Sequence, residues 1–364
     1  MLAAGATIAR MVGAGTVGIS LLTLVPGEIG GSETYVRELL RGLAAAGAHD
    51  YRVLLPPVAP AAAEGLPADV ASEYRRAQSP RERLLAMAAA ALRPGPLRAR
   101  LGDARVVHYP LTIALPRTPV ATVVSLLDVQ HLDLPAMFPR AERAFRSVAW
   151  HRSVRGADRV IAISEFVRER TVAKLGLPAD RIRVVPLGID HERLRPTGGE
   201  REPFLFYPAR RWPHKNHERL FEAFALVRQE QPELRLVLTG GGTFAGIPDG
   251  VEARGHVPWD EVVALMQRAA ALVFPSLYEG FGLPPLEAMA CGCPVACSNA
   301  AALPETVGDA ARLFDPRDPR AIAAATLEVL SDPDEWTRRG LARAARYSWT
   351  ETARATDAVY GELL

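Results

Sequence analysis

The run richest in chemistry is Glu279-Gly-Phe-Gly-Leu-Pro-Pro-Leu-Glu287. It follows an apolar stretch, Leu272-Val273-Phe274, that reads as a strand, and it leads into a helix. Pro284 and Pro285 fit the first turn of that helix, where the N–H groups lack partners anyway. Gly280 and Gly282 let the backbone come close to a ligand and take dihedrals that other residues avoid. Glycines ahead of a helix N-terminus make an anion site. Two flanking carboxylates do not suit a phosphate alone. They suit a polyhydroxyl group attached to the phosphate, because carboxylates accept hydrogen bonds from hydroxyls. The plainer alternative is a capped helix with a solvated glutamate at each end.

A second run is Tyr207-Pro-Ala-Arg210-Arg-Trp-Pro-His214-Lys215-Asn216-His217. It lies between a strand ending at Tyr207 and an amphipathic helix, so it occupies the carboxyl end of a strand, where open α/β sheets bind ligands. Arg210 offers a planar fork of donors and Lys215 a compact ammonium, a pairing suited to a diphosphate. Of the 43 basic residues only two, Lys174 and Lys215, are lysines. Lys174, just before Gly176, complements a helix C-terminus, and arginine would serve nearly as well there. Lys215 sits where a point charge and a guanidinium differ. Thr239-Gly240-Gly241-Gly242 follows another strand and could line the same crevice.

The elements that must hold these residues alternate. Strand-like runs at 17–25, 52–55, 106–108, 120–127, 160–163 and 182–185 are separated by helical segments, the pattern of an α/β protein with parallel sheets. Ser164 is placed to cap a helix that stops at Gly176. After the turn-rich Arg195-Pro-Thr-Gly-Gly-Glu200 the pattern restarts. Strands are expected at 204–207, 234–239, 271–275 and 295–297, with helices at 216–229, 260–269, 284–291 and 319–331. The expected organisation is a tail over 1–16, one domain over 17–198, a second over 199–345, and a terminal helix over 346–364.

Composition excludes several classes. A hydrophobic fraction of 49% with 23% charged residues describes a globular chain of 364 residues, long enough for two cores. Three cysteines do not make a disulfide scaffold and suit a reducing compartment. No apolar run is long enough to span a membrane, and no nucleic-acid-binding pattern is present. In residues 1–16 the single charge, Arg10, follows the apolar residues, the reverse of a secretory signal, and Met11 is an equally good start. A cytoplasmic location is therefore expected. Gly13-x-Gly15-x-x-Gly18 has dinucleotide-fingerprint spacing but precedes the first strand instead of ending it. Residues 71–105 hold eight arginines against three acids. A solvated helical face accounts for them; peripheral contact with an anionic membrane is the sharper alternative.

Taken together these motifs resemble the family 4 glycosyltransferases, which have the GT-B architecture of two Rossmann-like domains facing across a cleft. The resemblance covers about residues 17–350. It is carried by Glu279–Glu287, Arg210 and Lys215, Gly255-His-Val257, Gly30-Gly31, Asp128-Val-Gln-His131, Val160–Glu165 and Val185-Pro-Leu-Gly188. It implies a retaining enzyme that moves a hexose, mannose slightly favoured, from a GDP- or UDP-linked donor to a glycan, lipid-linked or small-molecule acceptor. No further cofactor and no metal are implied. Arg210 and Lys215 would hold the diphosphate, Glu279 a donor-sugar hydroxyl, and Glu287 the ribose diol. Gly280, Phe281, Gly282 and Leu283 would bring backbone amides to sugar and phosphate. Val257 would lie near the base, Gly240 would be a further donor contact, and Gly30 and Gly31 would approach the diphosphate from the first domain. Asp128, His131 and Gly188 are candidate acceptor or donor-sugar contacts. The last helix would cross back to the first domain. One departure stands out: the family commonly has His-Asp after the strand near 127, and this chain has Leu127-Asp128.

Other features read as structural. Asp332-Pro-Asp334 suits helix capping better than metal binding. Cys291, Cys293 and Cys297 lack zinc spacing, His214 and His217 lack an acidic cluster, and His108 suits a core position. Two alternatives to a transferase remain in the sequence: another GT-B enzyme, such as a phosphorylase or a nucleotide-sugar epimerase, and a non-enzymatic two-domain sugar-binding protein.

Overall fold

The computed structural model describes residues 15–28, 30–74, 80–242, 244 and 246–364. Arg10, Met11 and Gly13 lie outside the described residues. The first sheet holds β1 (Thr16–Ser20), β2 (Asp50–Leu55), β3 (Ala68–Val70), β4 (Val106–Tyr109), β5 (Ala121–Leu126), β6 (Arg159–Ala162) and β7 (Ile182–Val184). The second holds β8 (Glu202–Pro208), β9 (Arg235–Thr239), β10 (Val251–Ala253), β11 (Ala269–Phe274), β12 (Val295–Ser298) and β13 (Arg312–Phe314). Their orders are β3-β2-β1-β4-β5-β6-β7 and β10-β9-β8-β11-β12-β13, and every pairing is parallel. Both sheets therefore reverse direction at one place, between β1 and β4 and between β8 and β11. Crevices open at the carboxyl ends of strands at such switch points, and these two face one another. This is the GT-B arrangement.

Parallel strands covered on both faces need near-continuous apolar sequence, and β11 supplies it, with Ala269, Ala271, Leu272, Val273 and Phe274 buried. The expected first strand at 17–25 is shorter. It ends at Ser20, and the chain turns with Leu24 N–H donating to Leu21 O at 2.8 Å. Leu21, Leu22 and Leu24 are apolar because the turn is buried, not because the strand continues. Gly18 lies inside β1, opposite Arg52 and Val107, which removes it from any phosphate-binding turn.

The last helix, Trp349–Gly361, packs against the first, Gly31–Ala46, so the chain does end on the first domain. A Cβ at Gly42 would come within 2.7 Å of Ala353 Cβ, which explains the glycine inside a helix. Asp357 accepts from Ala48 N–H at 3.0 Å and from the Tyr51 hydroxyl. Tyr360 Oη and His108 Nδ1 lie 2.7 Å apart, and His108 Nε2 lies 2.8 Å from Ser125 Oγ. His108 is a core residue, and burial pushes its imidazole down to about 3, so it is neutral. By contrast, the Pro333–Ala344 helix stays on the second domain, against the Leu283–Ala290 helix. Asp332 caps it, accepting from Glu335 N–H at 3.4 Å. The three cysteines are buried and unpaired.

Candidate active site

Four loops at the strand ends meet at the cleft: the described residues 21–28 and 30 after β1, 127–129 after β5, 209–216 after β8 and 275–282 after β11. The last two are stitched together by backbone groups. Leu277 N–H donates to His214 O at 2.7 Å, and the Tyr207 hydroxyl donates to Lys215 O at 2.6 Å. Asn216, at φ 61°, starts the next helix and donates from its side chain to Pro275 O at 3.0 Å and Pro316 O at 2.7 Å. This scaffold fixes where Lys215 points. Its Nζ donates to Glu279 Oε1 at 2.6 Å, with the two side chains only 13% and 15% exposed. Half-buried charges of this kind hold together only as a pair, since either alone would carry an uncompensated desolvation cost.

Arg210 is set by the glycines after β9. Ala209 N–H donates to Thr239 O at 3.0 Å, and a Cβ on Gly240 (φ 106°) would sit 2.7 Å from the Ala209 carbonyl carbon. Gly240 and Gly242, where a Cβ would meet Ala209 and Arg211 at 2.7 Å, let the Arg210 loop lie against this turn. Arg210 Nη2 donates to Gly27 O at 2.8 Å and Nη1 to Glu28 O at 3.1 Å, crossing the cleft. Gly30 (φ 52°) precedes the first helix, and neither it nor Gly31 has anything within 4 Å of a built Cβ, so their backbone faces open space.

Beside this cluster lies an open cleft of about 560 Å³. Gly30, Gly31 and Gly188 line its first-domain side, and Val257, Leu283 and Glu287 its second-domain side. Glu287 is 6% exposed, and burial pushes its carboxyl up to about 8. At neutral pH the native protein therefore keeps a proton that the unfolded chain, near 4.5, has lost. That contribution to stability is complete below pH 4.5 and is lost as pH rises toward 8. Glu287→Gln should flatten this fall, leaving the variant more heat-stable than the wild type at pH 9. Thermal melts at pH 6 and pH 9 check it; equal falls in the two proteins would contradict the assignment.

Several expected residues lie elsewhere. Phe281 is buried, its ring edge-on to Tyr347 at 5.8 Å, so only its backbone can serve the cleft. Its carbonyl accepts from Thr306 Oγ1 at 2.7 Å. His131 turns toward the Arg140–Gly156 helix, with its Nε2 3.1 Å from His151 Nε2 and its ring edge-on to Trp150. Gly188 does line the cleft, but its lack of a side chain has a packing reason: a Cβ there would lie 2.2 Å from Trp349 N. Asp128 lies beside the Glu279 loop, where burial and nearby Glu279 push its carboxyl up while Arg146 and the Gln130 N–H pull it down.

The sequence gives no signal for the contacts that hold the two domains together here. Ser164 caps its helix as expected, accepting from Val167 N–H at 3.1 Å, and also donates to Gly280 O at 2.7 Å across the cleft. Glu305 of the second domain accepts from Glu165 N–H at 2.8 Å and Phe166 N–H at 3.1 Å, capping the same helix from outside. The Tyr278 hydroxyl donates to Asp133 at 3.2 Å.

Comparisons with known proteins fit this geometry. The model of Glycosyltransferase Family 4 matches residues 29–193, and that of Glycosyl transferases group 1 matches residues 190–347. O-antigen chain mannosyltransferase B of Escherichia coli is 32% identical over 285 residues, covering 70% of this chain and 74% of that protein. MMP alpha-(1->4)-mannosyltransferase of Mycolicibacterium hassiacum is 34% identical over 226 residues, covering 57% of this chain and 55% of that one. Among solved structures, sucrose-phosphate synthase from Thermosynechococcus elongatus superposes with a TM-score of 0.77 at 21% identity, covering 96% and 99% of the two chains. The Anabaena protein HepE, solved with UDP and glucose, gives 0.71 at 16% identity, covering 96% and 100%. With a family model on each domain and a mannosyltransferase relative across most of its length, the chain belongs to the family 4, group 1 glycosyltransferases.

Proposed function

We propose that this glycosyltransferase moves a hexose, mannose in preference, from a GDP- or UDP-linked donor to a hydroxyl acceptor with retention of configuration. The observation that carries the reading is the Lys215–Glu279 pair at 2.6 Å, set beside a cleft floored by a helix N-terminus. Diphosphate oxygens would replace the carbonyls of Gly27 and Glu28 as acceptors for Arg210 and would draw on Lys215 Nζ. The leaving diphosphate gains negative charge as the glycosidic bond breaks, and fixed cations and helix amides stabilise that charge. Glu279, once shared with a sugar hydroxyl, positions the hexose. Glu287 meets the ribose diol, Val257 and Gly240 flank the nucleoside, and the Gly280–Leu283 amides face sugar and phosphate. Gly30 and Gly31 let the first domain close on the diphosphate. In a front-face path the departing phosphate takes the acceptor proton, so neither a protein base nor a metal enters this scheme. The preference for mannose is supported by the names of the relatives, and a nucleotide-sugar donor by the neighbour solved with UDP and glucose.

No helix among the described residues is long and apolar enough to cross a membrane. The Pro80–Leu92 helix nevertheless exposes Leu84, Leu85 and Leu92 by 49%, 64% and 82%, within the arginine-rich segment. Exposed leucines among arginines favour peripheral contact with an anionic membrane face.

A panel of nucleotide sugars, read by mass spectrometry with and without anionic vesicles, tests the proposal. Slow hydrolysis of one donor, GDP-mannose first, is expected, with vesicles retaining the protein. Binding without turnover across the panel would return the chain to a sugar-binding role, and equal partition onto neutral and anionic vesicles would remove the membrane contact.

A further inference from the structure

Near the junction of the two domains, the first domain carries a charged group that the scheme above leaves unused. Arg146, on the Arg140–Gly156 helix, lies over Trp150 at 4.3 Å and Phe138 at 4.9 Å. Its Nε and Nη2 donate to Glu142 Oε1 at 3.0 and 2.8 Å. Its third nitrogen, Nη1, is 3.7 Å from Asp128 Oδ1. That is ion-pair range but beyond a hydrogen bond. Two aromatic faces and a carboxylate therefore fix the guanidinium, and its remaining edge is turned toward Asp128.

Asp128 itself is placed by its own turn, in which Oδ1 accepts from Gln130 N–H at 2.9 Å. It follows Leu127, whose carbonyl oxygen would lie 2.0 Å from a Cβ built on Gly280, the neighbour of Glu279. Asp128 thus stands on the first-domain side of the junction where Glu279 stands on the second. The Leu127 side chain brings no polar group to this junction, and Asp128 is the next side chain along the chain.

We propose that Arg146 is a positioning residue for transfer: clamped by Phe138, Trp150 and Glu142, it holds the Asp128 carboxylate beside the Glu279 loop, where Asp128 accepts a hydrogen bond from a sugar hydroxyl. The inference rests on the transferase reading above. The groups facing Asp128 are Arg146 and Glu142 from the helix, and Glu279 and Tyr278 from the loop after β11. Burial, Glu279 and Glu142 all favour the protonated acid. Arg146 and the Gln130 N–H favour the carboxylate, and Arg146 is the only cation of the set. Without Arg146 the proton stays on Asp128 to higher pH, and the hydrogen bond to substrate loses its charged, stronger acceptor.

The test is the pH profile of kcat/KM for the donor identified by the panel, measured on the full chain. In Arg146→Met the acid limb is expected to move up by about one unit or more. Turnover should fall about tenfold at pH 6 and recover toward the wild-type value by pH 9. Arg146→Lys, which keeps the charge but not the fork, should return the limb most of the way. Asp128→Asn, close in shape, should lower kcat/KM and remove the limb. A uniform loss at every pH in Arg146→Met, with no return of the limb in Arg146→Lys, would overturn the inference. A wild-type limb in Asp128→Asn would do so even if Arg146→Met failed to fold. Wild-type protein that turns over no donor would overturn the transferase reading and this inference together, whereas turnover with an unmoved limb would overturn this inference alone.

Discussion

Replacing Lys215 with alanine is expected to lower sugar transfer at least 100-fold, or ~2.7 kcal/mol of transition-state stabilisation. Two losses combine. The ammonium proposed to meet the leaving diphosphate is gone, and Glu279, 15% exposed, is left without the cation 2.6 Å away. Lys215→Arg separates charge from shape. The Nζ fits a narrow place, between Glu279 and the Phe274 ring, whose centroid is 5.5 Å off. A guanidinium is longer and planar and must push one of these neighbours, so a loss of about tenfold is expected even with the charge retained. In a chain that uses arginine almost everywhere, that would explain why this position is lysine. Steady-state hydrolysis and transfer rates, with thermal melts to show that the variants fold, give the answer. Near-normal turnover in Lys215→Ala would remove the central assignment of the site.

What could be read from the sequence divides by the range of the interaction. Ser164 and Gly176 bound the Glu165–Leu175 helix because caps are local chemistry, and both act as expected. Pro284 and Pro285 open the Leu283–Ala290 helix for the same reason. The three strands that were not expected, β3, β10 and β13, are three residues long and lie at sheet edges. At that length an apolar pattern has little to read; β7, equally short, was legible only because the apolar run continues through Val185. The site was legible as two loops because each follows a strand and carries its own charges and glycines. Its meeting across the cleft was not. Ser164 with Gly280, and Glu305 with Glu165 and Phe166, pair residues from distant segments. No spacing rule connects them. Phe281 shows the converse: a motif residue whose side chain serves packing and whose backbone alone can face the ligand.

The second large effect concerns that meeting. Gly280→Ala is expected to lower turnover about 100-fold while leaving each domain folded and nucleotide binding nearly intact. A Cβ at this position would lie 2.0 Å from the Leu127 carbonyl oxygen, which is backbone and cannot rotate away. The substitution is informative because Gly280, unlike Gly282 at φ 112°, does not have a positive φ. Alanine is therefore acceptable to the loop itself, and the strain arises only when the domains meet. Relief requires the second domain to back away from Leu127, which also stretches the 2.7 Å bond from Ser164 to the Gly280 carbonyl. A retreat of about 1 Å moves Glu279 and Lys215 away from groups on the first domain, and misplacements of that size cost about 100-fold. The proposed nucleoside end, between Val257, Leu283 and Glu287, lies on the second domain and should keep its ligand. Calorimetric binding of GDP and UDP, set beside kcat, distinguishes the two losses. An alanine variant with unchanged kcat would mean that transfer does not pass through the closed arrangement seen here.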